Sequence, residues 1–149
     1  MAGASPADRL QHFATTALAF EPSSLVDRDA AVGVTDSVRS EPVPNRHVPG
    51  QTDSLIMQFR PGLEVELYRT APGAQFVQRI DVRSNRWLTV GPGIGSSITD
   101  VTDSFGAPAE STDSSLAYTC HACGPVEEPI TFYVRDLRVH RIRFAYYVD

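Results

Sequence analysis

The chain is 149 residues long, 42% hydrophobic, and carries 13 basic against 18 acidic residues, for a net charge of −5. Such a length suits one domain, or two small units sharing one core, and the composition excludes wholesale disorder. The acidic balance argues against nonspecific nucleic-acid binding, and no apolar run approaches the ~18 residues of a membrane-crossing helix.

At the N-terminus acids follow at once and no long apolar stretch succeeds them, so an intact secretory leader is not read here. Met1–Ser5 reads either as a native cytosolic start or as the segment after a removed leader. Ser5-Pro6-Ala7-Asp8 has the spacing of a capping box, with proline at the first helical position. Leu10, Phe13, Ala14, Ala17 and Leu18 continue it as an apolar stripe, predicting a helix from about Pro6 to Ala19 that Glu21-Pro22 ends. From Pro22 to Asp53 periodicity is poor; Leu25, Val26, Val32 and Val34 suit either a short helix or a strand.

Residues 40–53, SEPVPNRHVPGQTD, hold three prolines and no apolar period, which predicts a loop. It gathers Asn45, Arg46, His47, Gln51 and Asp53, a polar set able to bind a ligand. The plainer reading is a surface connection whose polar residues meet water. Leu55, Met57 and Phe59 then alternate, Pro61-Gly62 turns the chain, and Leu63, Val65 and Leu67 alternate back with Glu64 and Glu66 on the other side. A third strand is predicted from Phe76 to Val82, with Phe76, Ile80 and Val82 inward and Arg79, Asp81 and Arg83 outward.

Gly91-Pro92-Gly93-Ile94-Gly95 lacks the lysine of a phosphate loop and the third glycine of a dinucleotide fingerprint. It reads as a tight turn into a second capping box, Ser97-Ile98-Thr99-Asp100. Ile98, Val101 and Phe105 make the stripe of a two-turn helix, stopped by Gly106 and Pro108. A strand follows at Ser115–Thr119. Next, Ile130, Phe132 and Val134 form one apolar face, and Arg135-Asp136-Leu137-Arg138 is the turn. The returning strand carries Val139, Ile142, Phe144, Tyr146 and Val148. Its interval of three between Val139 and Ile142 predicts a β-bulge near His140-Arg141.

These elements amount to an α+β fold, an antiparallel sheet of about six to eight strands with two or three short helices on one face. The order helix-then-strands occurs twice, over about 5–83 and 91–149, which predicts a single domain built of two α-β units.

Two residue groups stand out as chemistry. Cys120-His121-Ala122-Cys123 is a lone CxxC that follows a strand and leads to Gly124-Pro125, without the helix that activates a thioredoxin-type cysteine. The alternatives are a structural loop (disulfide or two thiols), a zinc site lacking two further ligands, and a redox pair. No other cofactor is suggested. Arg135, Arg138, His140, Arg141 and Arg143 make a local basic patch. That patch is either a solvated face with acidic neighbours or a docking surface for an anionic partner. Trp87, Tyr133, Tyr146 and Tyr147 are available to it as aromatic anchors. No GxSxG, HExxH or paired-carboxylate pattern is present, so catalysis has no support from motifs; an enzyme site around His47 is a third alternative.

From Gly93 to Ser97 and on through Phe105-Gly106-Ala107-Pro108, the sequence resembles the repeat of small bacterial envelope proteins, the outer-membrane assembly lipoproteins of the SmpA/OmlA type. ITFYVRDLRVHRI resembles their closing hairpin, with Leu137 at the usual glycine. A tandem of such units resembles the β-lactamase-inhibitor-protein fold. The resemblance covers residues 91–149 well and the first half poorly. It implies a non-enzymatic protein that binds or scaffolds another protein through its sheet. It also implies a periplasmic or envelope-associated location if a leader was removed; otherwise the chain is cytoplasmic. It supplies no catalytic residues, and the chain has no lipobox cysteine.

Overall fold

Both capping boxes form. A computed structural model describes residues 5–20, 37–120 and 129–146. In helix α1, Pro6–Thr16, the Ser5 hydroxyl accepts from the Asp8 N–H at 3.1 Å and the Asp8 carboxylate accepts from the Ser5 N–H at 3.3 Å. Helix α2, Ile98–Phe105, starts the same way at Ser97 and Asp100 and stops at Gly106, whose φ is 76°. α1 ends three residues short of the expected Ala19. Leu18 instead bridges Leu88, the Ala19 N–H donates to the Trp87 carbonyl at 2.9 Å, and the Thr89 N–H donates to the Ala17 carbonyl at 2.7 Å. The predicted stop at Glu21-Pro22 lies outside the described residues, as do Leu25, Val26, Val32 and Val34.

The strands are β1 Ser37–Pro44, β2 Thr52–Arg60, β3 Leu63–Arg69, β4 Gln75–Val82, β5 Glu110–Thr112, β6 Ser115–Thr119, β7 Pro129–Arg135 and β8 Arg138–Ala145. They form one antiparallel sheet in the order β1-β2-β3-β4-β8-β7-β6-β5. The fold is therefore α+β, with an eight-stranded sheet and two α-helices among the described residues. In each half a helix precedes four strands paired as a meander, and β4 meets β8 at the centre.

One face of the sheet carries the helices. Across it Val65, Ile80, Phe144, Ile130 and Tyr118 stand in one register line, and Leu63, Val82, Ile142, Phe132 and Leu116 in the next. Phe13 of α1 lies 5.7 Å from Phe132, 5.8 Å from Phe144 and 5.3 Å from Phe105 of α2, measured between ring centroids. A two-turn helix is unstable alone, so α2 depends on such tertiary contacts, this aromatic one among them.

Two of the hairpin turns obtain positive φ in different ways. Gly62 takes φ 75° after Pro61, as a type II pattern requires, and a Cβ there would come within 2.5 Å of the Ser84 Cβ. At the β7–β8 turn Asp136 and Leu137 adopt φ 52° and 66° without any glycine, and Leu137 is 74% exposed. Backbone bonds tie that turn down. Ile98 N–H donates to the Leu137 carbonyl at 3.1 Å, Val139 N–H to the Ser96 carbonyl at 2.8 Å, and Gly95 N–H to the Val139 carbonyl at 2.8 Å.

The predicted bulge is present. Val134 pairs with Val139 but Tyr133 with Arg141, so His140 is the extra residue. A second bulge was not foreseen. Glu66 pairs with Arg79 but Leu67 with Val77, leaving Gln78 unpaired in β4. It reverses the expected orientation of Phe76, which is 47% exposed on the helix-free face while Val77 packs on the core.

Two further expectations are corrected. Residues 40–44 are not loop but part of edge strand β1, where Pro42 and Pro44 are tolerated because an edge leaves one row of N–H groups without a ladder partner. The Pro61-Gly62 hairpin forms, but Leu55, Met57 and Phe59 pair with Tyr68, Glu66 and Glu64. They share the glutamate face, while Ile56, Gln58 and Arg60 stand with Leu67, Val65 and Leu63. Among the described residues no helix is long and apolar enough to cross a membrane.

Candidate functional site

On the helix-free face a single register line crosses all eight strands: Ser37, Phe59, Glu64, Asp81, Arg143, Thr131, Ala117 and Glu110. Its middle is ionic because β3, β4 and β8 each place charges at alternate positions. Asp81 is 0% exposed although no described helix covers it. Its carboxylate accepts from Arg79 Nη1, from Arg143 Nε at 2.9 Å and from Arg143 Nη2 at 3.3 Å. Arg79 also lies 3.4 Å from Glu64 and 3.8 Å from Glu66. The arginine stems thus do on this face what helices do on the other, excluding water from a carboxylate that they neutralise.

Beside this ladder the face divides into two surfaces. Toward β1 it is apolar and aromatic, with Leu55, Met57 and Phe59 half-buried, Tyr68 beside Phe76, and Arg39 lying 6.0 Å from the Phe59 ring centroid. Toward the β7–β8 turn it is cationic. The Arg141 guanidinium lies over the Tyr133 ring at 3.8 Å and that of Arg143 at 5.4 Å. Arg83 and Arg135 are exposed, and His140 sits at the bulge. Burial pushes the His140 imidazole pKa down, and Arg135, Arg141 and Arg83 push it further.

The basic patch is therefore only partly the one expected. Arg141, Arg143 and His140 are brought together. Arg138 is drawn toward the helix side, donating to the Gly95 carbonyl at 2.9 Å. Tyr146 has the parity of Ile142 and Phe144 and packs against the core, where burial raises its hydroxyl to about 12. Tyr147 lies outside the described residues. Asp81, Arg79, Glu64 and Tyr133 complete the face. The signal for the three charged residues was the period-two charge pattern on successive strands.

The loop Asn45–Gln51 is organised by Asp53, which is 1% exposed. Its carboxylate accepts from the Tyr68 hydroxyl, from Asn45 Nδ2 at 2.7 Å, from Gln51 Nε2 at 2.8 Å and from the Ala71 N–H at 2.9 Å. The Tyr68 bond first, aided by Gln51, Asn45 and Ala71 and opposed by burial, holds the carboxyl at about 2. Asn45 in turn accepts the His47 and Val48 N–H groups at 2.7 and 2.8 Å. Three of the five polar residues expected to form a binding loop thus hold its shape, while Arg46 and His47 are exposed. The donors on Asp53 are Tyr68, Asn45, Gln51 and Ala71.

Cys120 is buried and disulfide-bonded. His121 and Cys123 lie outside the described residues. Among the described residues no group of three or more His, Cys, Asp or Glu side chains is placed to hold a metal. Comparison of the chain with protein-family models, with curated proteins and with solved structures finds no match.

Proposed function

We propose that this chain is a non-enzymatic binding or scaffold protein of the bacterial envelope that engages another protein through the helix-free face of its sheet. One observation carries the reading. A helix and a four-strand meander occur twice and meet at β4 and β8, leaving a continuous eight-stranded face that no described helix covers. On the same reading the two halves are copies of one α-β unit. Exposed Phe76 beside half-buried Leu55, Met57 and Phe59 supports an interface, since aromatic and methionine side chains concentrate at interface centres. The envelope location rests on the resemblance at Gly93–Pro108 and in the β7–β8 hairpin.

The test is photo-crosslinking in cells from a reactive residue placed at Phe76 or Thr131 on the helix-free face, or at His12 on α1. The expected result is a discrete cross-linked partner from Phe76 and Thr131 and none from His12. Cross-links from His12 alone, or from none of the three, would overturn the proposal.

A further inference from the structure

The cationic end of the helix-free face has a property that the ion ladder beside it lacks. Among the described residues no carboxylate pairs with Arg83, Arg135 or Arg141, in a chain whose net charge is −5. Asp81, the carboxylate nearest in register, is already bound by Arg79 and Arg143. Arg141 is the centre of the group. Its guanidinium lies over the Tyr133 ring at 3.8 Å, and its Nε is buried without an acceptor. A buried donor without a partner is a cost that the free protein carries. The cation is partly removed from water before anything binds, so part of the desolvation that normally opposes ion pairing is already met in the free protein.

Resting on the reading of this face as a protein-binding surface, we infer that Arg141, with Arg83 and Arg135 beside it, is a seat for a carboxylate side chain from an acidic segment of the partner. The planar guanidinium suits a planar carboxylate, and the Tyr133 platform fixes its orientation. A polyanion long enough to run along the whole face fits poorly, because the same face carries Glu64, Glu66 and Glu110 along its register lines. Burial first, and then Arg135, Arg141 and Arg83, depress the neighbouring His140 imidazole, in keeping with the charges around it. The chemistry selected is thus a local cluster of Asp or Glu, flanked by apolar residues that reach toward Phe59 and Phe76.

The arginine Nε–Hε resonances of the full chain provide the test, titrated at low salt with a capped hexaglutamate peptide and, separately, with inorganic phosphate. The expected result is a saturable shift of the Arg141 resonance with the peptide, a weaker one with phosphate, and none at Arg9 or Arg86. Arg83→Gln and Arg135→Gln should each weaken peptide binding by about fivefold, as an exposed charge pair is worth up to about 1 kcal/mol. Tyr133→Leu should weaken it too while leaving the far-ultraviolet dichroism unchanged. A silent Arg141 overturns the inference, as does an equal response to phosphate or one shared by all arginines. Cross-linking from Phe76 and Thr131 would survive any of these failures, so the broader reading falls only on its own test.

Discussion

The two faces of this sheet bury comparable groups by opposite means. On the helix side, Phe13 and Phe105 cover Phe132 and Phe144, and carbon packs on carbon. On the other side Asp81 is just as inaccessible, yet its cover is made of two arginines and the neighbouring glutamates. The difference lies in what each face can tolerate on exposure. A helix-covered face loses its driving force if the helix leaves, whereas an ionic face stays soluble while presenting fixed side chains to a partner.

Four measurements sharpen the contrast. Phe132→Ala should be the most damaging, removing the ring between Phe13, Phe105 and Tyr118 at a cost of about 3–5 kcal/mol by urea unfolding. Asp81→Ala should cost about 2–4 kcal/mol, since it strips both arginines of their shared acceptor. A larger loss from Asp81 than from Phe132 would mean that the ladder, not the aromatic core, dominates stability. Asp53 adds a smaller effect confined to acid. Its carboxyl lies at about 2 against an ordinary 3.8. Its stabilisation is therefore full above pH 3.8 and lost as pH falls through about 2. Asp53→Asn should flatten that part of the stability–pH curve, and an unchanged curve would refute the assignment. Smallest and opposite in sign, Leu137→Gly should stabilise by about 0.5–1 kcal/mol, because φ 66° burdens a leucine but not a glycine. A loss of thermal midpoint there would show that the Leu137 side chain has a packing role.

What the sequence disclosed was local, and what it withheld depended on pairing. Both capping boxes, the Pro61-Gly62 turn and the His140 bulge could be read because each is encoded within a few residues. The bulge at Gln78 left the same signal, an interval of three from Val77 to Ile80, but Phe76 offered a simpler and mistaken alternation. The facing of Leu55, Met57 and Phe59 had no local signal, since either face of β2 offers apolar side chains and the register with β3 decides. β1 was hidden by Pro42 and Pro44, residues that argue against a strand except at an edge. Of the candidate site, the arginines were visible as a cluster, but Asp81 became part of it only through the pairing of β4 with β8.

Those two prolines also decide how copies of the chain can meet. Pro42 and Pro44, two residues apart, withhold their N–H groups on the same side of β1, so the outer margin of that strand offers few donors to another strand. At the opposite margin β5 is only three residues long. Among the described strands neither border is a ready template for adding another, which guards against edge-to-edge growth.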